Sequence, residues 1–173
     1  MLKPNHIIAP QPLHRQPEIE IMLDQVFGLS RQTKASYRLR EGEQAVAGLS
    51  FIMTSEQDEL LGAISFWNLR IGEAGTEALL LGPLAVDPAH RGQGIGRELM
   101  QHGLEKATDL GHRLVILVGD EPYYARVGFK KVPDGQLLMP GPVDVGRLLY
   151  LELADGTLAR AKGLVLSPRR YKS

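Results

Sequence analysis

The stretch LLLGPLAVDPAHRGQGIGRELM, residues 79–100, decides how this chain folds. An apolar run leads into three alternate glycines, Gly92, Gly94 and Gly96, and a helical pattern begins directly after them. The first turn of a helix carries unpaired backbone N–H groups and partial positive charge, so a phosphate can bind there when side chains leave room. An arginine flanks the glycines on each side. The stretch therefore predicts a phosphate or pyrophosphate site at the start of a helix.

The glycine spacing alone leaves several kinds of site open. A dinucleotide-binding fingerprint requires G-x-G-x-x-G, whereas in GQGIG (92–96) the third glycine comes one residue early. A P-loop requires a Gly-Lys-Ser/Thr ending, which is missing here. The simplest alternative is a glycine-rich turn that only caps a helix.

Composition narrows the class of protein. The 173 residues suit one domain, which we take as 1–173, with 20 Lys plus Arg against 20 Asp plus Glu. This balance argues against a broad nucleic-acid or membrane surface. The sequence has no cysteine, no apolar signal core and no run near the ~20 apolar residues of a membrane helix. We therefore expect a cytoplasmic protein that binds neither nucleic acid nor membrane.

Periodicity and turn residues predict a mixed α/β fold with a βαβ unit at its centre, 76–120. The predicted helices are 12–27, 32–40, 94–110 and 122–128, and PDGQLLMPGP (133–142) is predicted to be a loop. The predicted strands are 6–10, 49–55, 59–71, 76–86, 113–120, 129–132 and 147–153, with 158–167 as a further hairpin arm.

Gly82-Pro83 interrupts the apolar run of 76–86. Proline has no N–H to donate to a ladder of hydrogen bonds, so a central strand is expected to bulge or splay at this point.

The wider stretch resembles the GNAT superfamily of N-acetyltransferases, and most closely its YhbS-like bacterial subgroup. RGQGIG (91–96) is similar to the Gln/Arg-x-x-Gly-x-Gly/Ala signature of that family, LAVDP (84–88) looks like its fourth strand, and VILVGDEPYYARVGF (115–129) looks like its fifth strand and following helix. YRLRE (37–41) adds to the match, which covers a motif core of 76–129 and fades in a variable segment, 133–173.

The resemblance implies a GNAT fold, with a mixed, mostly antiparallel sheet that splays between its fourth and fifth strands and is flanked by helices. It also implies acetyl-CoA as co-substrate, with the pyrophosphate on the signature loop, the pantetheine arm along the fourth strand, and no metal. The residues that correspond are Leu84, Ala85 and Val86 on the strand, and Arg91, Gly92, Gln93, Gly94, Ile95, Gly96 and Arg97 on the loop.

A tyrosine on the helix after the fifth strand often protonates the leaving thiolate in this family, and Tyr124 matches that position. A phenol with a pKa near ~10 can supply such a proton. The alternative for Tyr124 is packing beneath the cofactor, and Tyr123 is a weaker candidate for the acid. A backbone N–H of the fourth strand, such as that of Val86, could polarise the carbonyl.

No general base stands out in the sequence. Many relatives have an asparagine where this chain has Gly-Asp-Glu (119–121); Asp120 is expected to cap the next helix, although Asp120 or Glu121 could instead contact the amine. Glu73 and Glu77 are weaker candidates, since exposed turn carboxylates are common. The histidines show no metal-binding spacing.

The sequence therefore predicts an acetyl-CoA-dependent N-acetyltransferase that acts on a small-molecule or peptide amine. One alternative is a GNAT-fold module that binds acyl-CoA with little or no transfer activity. Another is a nucleotide-binding regulator. The resemblance also allows a homodimer.

Overall fold

Nine strands and five α-helices form the fold in the computed structural model, which describes residues 5–173. The strands are Ile7–Pro10 (β1), Ser50–Thr54 (β2), Leu60–Ile71 (β3), Thr76–Val86 (β4), Leu114–Val118 (β5), Lys130–Lys131 (β6), Leu137–Leu138 (β7), Leu148–Glu152 (β8) and Gly163–Leu166 (β9). The helices are Gln16–Phe27 (α1), Ala35–Arg38 (α2), Ile95–Asp109 (α3), Glu121–Ala125 (α4) and Pro168–Lys172 (α5).

The sheet is antiparallel except at its centre and at one short edge pair. Its order is β1-β2-β3-β4-β5-β8-β6, and β4 and β5 are parallel neighbours. Only Leu79 with Val115 and Leu80 with Ile116 pair across β4 and β5, so the strands separate beyond Leu80. The predicted mixed sheet and its splay are confirmed.

The predicted break in β4 is also confirmed, as a bulge against β3. Ile64 pairs with Leu84 but Phe66 pairs with Leu81, so Gly82 and Pro83 together lie opposite one residue of β3. The Trp67 indole Nε1 donates a hydrogen bond to the Gly82 carbonyl oxygen at 2.7 Å. The bulge is therefore held by a side chain from the neighbouring strand.

Helices cover both faces of the strands that lead to the splay. On one face α3 buries an apolar stripe that includes Leu99 and Ala107, both fully buried. Gly103 allows this close packing, because a Cβ there would collide with the Phe66 ring. On the other face α1 packs through Ile19, Met22 and Leu23. This packing fixes the start of α3 beside the end of β4.

The sequence predictions were wrong in four places. The helical spacing of Leu110 after Ala107 predicts a buried side chain, but Leu110 is 57% exposed because α3 ends before it. The helix predicted at 32–40 is a 3-10 turn followed by the four residues of α2. The predicted loop 133–142 contains β7. The segment 158–167 forms no hairpin with β8, because β9 pairs with β7 and β3.

Candidate functional site

The segment that begins α3 has the geometry predicted for an anion site. Gly94 is the N-cap residue, in the left-handed conformation with φ of 79°, and no side chain caps the first turn. The first N–H groups of α3 are therefore free for a ligand. A Cβ at Gly92 or Gly94 would meet nothing within 4 Å, so the space in front of these amides is open.

A cavity of about 550 Å³, the loop cavity, lies in front of these amides. Its walls include Val86, Leu84 and the glycine loop, and they carry three arginines, Arg91, Arg97 and Arg126. In residues 5–173, no Asp or Glu lines this cavity. Cations without carboxylates beside unpaired amides favour a ligand with more than one negative charge.

The residues of the predicted loop differ in which of their groups can contact a ligand. The side chain of Ile95 is buried in the core, which leaves only its backbone for binding. Gln93 is exposed and does not line the cavity. Arg126 was missed by sequence reasoning, because nothing in YYARVGF (123–129) indicates that α4 folds back toward the glycines.

The end of β4 turns unpaired backbone groups toward the splay. The Asp87 N–H donates to the Leu61 carbonyl oxygen of β3 at 2.8 Å. Backbone groups alternate sides along an antiparallel strand, so Ala85 also faces β3, whereas Leu84 and Val86 face the gap toward β5. Leu84 and Val86 line the loop cavity; Ala85 does not, and its side chain is buried against α1. The gap can therefore accept an extended ligand as an added strand.

A second cavity, the gap cavity, occupies the splay and measures about 560 Å³. It shares Leu84, Tyr123 and Tyr124 with the loop cavity, so the two are neighbours. The bulge residues Gly82 and Pro83 form part of its wall. The break in β4 and the separation of the strands therefore create this space.

Tyr124 stands at the boundary between the two cavities. Its ring lies against Gly119, where a Cβ would collide with it, and makes an edge contact with Phe129 at 6.0 Å between centroids. Within residues 5–173 no hydrogen bond contributes to the pKa of its hydroxyl, which is therefore able to donate to a ligand. Burial raises the pKa of Tyr124 to about 12, with smaller effects from neighbouring Tyr123, Arg147 and Asp120. The phenol is therefore protonated at neutral pH.

Tyr123 also lies at this boundary, and Asp120 lies on the gap-cavity side of it. The Tyr123 hydroxyl approaches Gly96, where a Cβ would collide with it. Asp120 occupies the predicted N-cap position of α4, but its side chain makes no capping hydrogen bond and instead lines the gap cavity. An exposed carboxylate is thus available near Tyr124, whereas Glu121 does not line the gap cavity.

The two weaker carboxylate candidates lie elsewhere. Glu77 pairs with Arg70 across β3 and β4, and Glu73 lies in the turn between these strands. Glu77 is five residues before Gly82, which is roughly 16 Å along a strand. Neither lines the loop or gap cavity.

The histidines do not form a metal site in the part of the chain that is described. His102 packs edge-on against Phe51, with ring centroids 4.6 Å apart. Residues 5–173 contain no cluster of three or more His, Cys, Asp or Glu suited to a metal ion. Over the same residues, no helix has the length and apolar character needed to cross a membrane.

A third cavity, the N-terminal cavity, lies between α1 and the bulge and measures about 710 Å³. Its walls include Trp67 and the segment 40–48, and it shares Arg31, Arg40 and Pro83 with the gap cavity. From the sequence, Trp67 and Phe66 on the strand predicted at 59–71 are expected in the core, although this strand can border an acceptor pocket. Trp67 is half-buried at this cavity, and its neighbour Phe66 is fully buried.

Known proteins are similar to this chain in both sequence and architecture. The chain is 29% identical over 149 residues to the uncharacterized N-acetyltransferase YhbS of Escherichia coli K12, covering 86% of this chain and 88% of that protein. A crystal structure of YhbS with CoA superposes with a TM-score of 0.81 at 26% identity, covering 98% and 93% of the two chains. A GNAT family acetyltransferase from Brucella melitensis, solved with acetyl-CoA, gives 0.62 at 30% identity, covering 85% and 96%.

The family model of the acetyltransferase (GNAT) family matches residues 17–129, which include the glycine loop, the splay and Tyr124. The same segment carries the bulged strand and the free amides described above. This chain therefore belongs to the GNAT family of acetyltransferases.

Proposed function

We propose that this protein is an acetyl-CoA-dependent N-acetyltransferase that acts on a primary amine of a small molecule or peptide. The observation that carries the proposal is the loop cavity, with open space at Gly92 and Gly94 and three arginines without carboxylates. The CoA-bound and acetyl-CoA-bound relatives support the choice of ligand.

The residues fit the co-substrate from one end to the other. Amides of segment 92–97 and the arginines of the loop cavity would hold the diphosphate. Leu84 and Val86 would pair with the amides of the pantetheine arm. The gap cavity would then receive the reactive end of the molecule, beside Tyr124.

Acetyl-CoA supplies a thioester whose acetyl carbon bonds to the amine nitrogen as its bond to sulfur breaks. Tyr124 would give its proton to the leaving sulfur, since its raised pKa keeps the hydroxyl protonated. The Val86 N–H, which faces the gap, would donate to the carbonyl oxygen. The neutral amine nitrogen loses one proton as the amide forms. Asp120, the carboxylate that lines the gap cavity on the α4 side, would accept this proton, and Tyr124 would regain its own from solvent.

Two measurements test this function. Thermal unfolding is followed with acetyl-CoA, CoA, ATP and NAD, and a ligand at one hundred times its Kd adds about 2.7 kcal/mol to the free energy of unfolding. We expect this stabilisation from the two CoA species only. Thiol release with a panel of amines then separates an enzyme from a binding module. Stabilisation by ATP or NAD alone would instead support a nucleotide-binding regulator.

A further inference from the structure

Arg40 is a partly buried cation that has no ion-pair partner within residues 5–173. Its Nε atom is buried without a hydrogen-bond partner, and within residues 5–173 its guanidinium forms no ion pair. The guanidinium carbon lies 5.0 Å from the Tyr37 ring centroid and 5.9 Å from that of Trp67. Aromatic faces stabilise a cation but accept none of its N–H hydrogen bonds in the guanidinium plane. Arg40 therefore keeps donors available.

The neighbouring Arg31, in contrast to Arg40, is paired with carboxylates of the chain. Its Nε donates to the Asp24 carboxylate at 3.0 Å, and a terminal nitrogen donates to Glu20. Both acids of α1 nearest to this region are thus engaged by Arg31. They leave Arg40 without a partner, although it lies on the same wall.

The surroundings of Arg40 disfavour its charged form because they partly exclude water. Burial lowers the pKa of Arg40 to about 10, so the side chain remains a cation near neutral pH. A buried charge without a partner costs free energy, and an anion placed against it offsets that cost. A guanidinium also matches the planar geometry of a carboxylate better than an ammonium does.

The position of Arg40 connects this charge to the reaction. Arg40 lies on the wall shared by the gap cavity and the N-terminal cavity, and the gap cavity also contains Tyr124. Three further cations line the gap cavity, against two acids. Of those two, Asp144 accepts a hydrogen bond from the Gly146 N–H at 2.9 Å. The wall that carries Arg40 therefore links the N-terminal cavity on the α1 side to the gap cavity that contains Tyr124.

We propose that Arg40 binds a carboxylate of the acceptor, so that the substrate is an amine that also carries an acid group. This inference rests on the proposed function. The N-terminal cavity would hold the remainder of the acceptor. Three acids line this cavity. Glu20 pairs with Arg31, Glu43 accepts the Arg169 N–H at 2.9 Å, and Glu41 forms no ion pair with Arg40 within residues 5–173.

The first test compares acceptors that differ only in the acid. Glycine, β-alanine, γ-aminobutyrate and ε-aminocaproate are each assayed against the corresponding primary amide, with acetyl-CoA saturating. We expect at least one acid to exceed its amide roughly 10- to 100-fold in kcat/KM, as loss of a hydrogen bond to a charged group implies. Phosphoethanolamine and its parent ethanolamine, which carries no anionic group, distinguish a phosphate from a carboxylate. Equal rates for every acid and amide overturn the proposal, and so does a preference for phosphate alone.

The second test observes Arg40 without requiring turnover. The side-chain Nε–Hε resonance of Arg40 is assigned by its loss in Arg40→Lys, and the CoA complex is titrated with each acid and amide. We expect the acid to shift this resonance and the amide to leave it in place. A resonance that responds to neither, or to both equally, overturns the proposal even if no amine in the panel is acetylated.

Variants separate a specific contact from general attraction by positive charge. Arg40→Gln should remove the preference for acids over amides, while Arg40→Lys should keep part of it. The matched control is Lys34→Gln, which removes an exposed cation from the same cavity wall. Lys34 is solvated and screened, so this variant should keep the preference.

The tests also separate this proposal from the proposed function. Thermal stabilisation by CoA measures whether each Arg40 variant still folds and binds the co-substrate. Absence of CoA binding in the parent protein refutes the proposed function itself. Acetylation of amides and acids at equal rates refutes only the role of Arg40.

Discussion

Gly94→Ala is the sharpest test of the diphosphate site, because a control with the same backbone strain exists in the same helix. Gly94 precedes α3 with φ of 79°, and Gly111 follows it with φ of 88°. A Cβ at either position would meet no atom within 4 Å. The two alanine variants therefore carry equal strain and no clash with the protein, and they differ only in the proposed ligand.

The expected loss of stability is the same for both variants. An alanine held in the left-handed region costs about 1–2 kcal/mol, and the lower entropy of the unfolded chain returns about 0.4–1 kcal/mol. A net loss near 1 kcal/mol lowers the Tm of a chain of this length by roughly 2–4 °C. Thermal unfolding of the two variants without ligand measures this loss of stability.

The variants should differ when CoA is added. The new methyl group of Gly94→Ala lies where the diphosphate approaches the amides, and losing one hydrogen bond to a charged group costs about 1.5–3 kcal/mol. Saturating CoA should raise the Tm of the parent and of Gly111→Ala by roughly 5–11 °C at one hundred times Kd. If Kd rises a hundredfold, Gly94→Ala retains only about 0.4 kcal/mol of stabilisation at the same concentration. A Gly94→Ala protein with the full CoA shift would refute the diphosphate site and leave the loop as a helix cap.

Four further predictions concern the proposed chemistry and the bulge that shapes the gap cavity. Tyr124→Phe should lower kcat by about 100-fold, the lower range for a positioned acid, with little change in the Kd of CoA by calorimetry; unchanged turnover removes Tyr124 as the acid. Because the Tyr124 pKa is raised to about 12, the phenol keeps its proton while the acceptor amine loses one, so kcat/KM should rise up to pH ~10 without a falling limb from this residue. The same shift predicts that folding stability falls as pH rises from ~10 to about 12, since only the unfolded chain releases this proton there, and Tyr124→Phe should abolish that component of the pH dependence. Trp67→Phe removes the donor to the Gly82 carbonyl and should cost about 1 kcal/mol, measured by urea unfolding, with Trp67→Tyr as a second variant; a Trp67→Phe protein as stable as the parent would show that the bulge does not depend on the indole.

The elements predicted correctly are those whose signals are local in the sequence. The 76–86 strand matches β4 at both ends, and the start of α3 differs by one residue from the prediction. Glycine indicates a helix boundary because of its backbone conformation, and proline indicates a missing hydrogen bond in a sheet ladder. Both signals can be recognised in the sequence without knowing which segments pack against them. The prediction of the splay had a different basis, because it came from the family resemblance and not from residue patterns.

The parts that were missed depend on contacts between distant segments. β9 pairs with β3 across about ninety-five residues, and no local pattern distinguishes that pairing from a hairpin with β8. Arg40 ends the helix predicted at 32–40, and the polar residues around it in YRLREGEQ (37–44) give no sign that it is partly buried. Its burial comes from Trp67 on β3, which the sequence does not place beside it. Likewise, the need for a glycine at position 119 is clear only in the structure, where the Tyr124 ring packs against it and leaves no room for a Cβ.

Several arginines of the chain form ion pairs, whereas Arg40 and the arginines of the loop cavity do not in the part of the chain that the structure describes. Arg15, Arg31 and Arg70 each bind carboxylates of the chain. The three arginines of the loop cavity and Arg40 form no ion pair within residues 5–173, although the chain has as many acids as bases. Cations left unpaired at both ends of one path are expected to hold anionic groups there, the diphosphate at the loop and the proposed acid at Arg40. The uncharged Tyr124 hydroxyl lies between them, where proton transfer would occur.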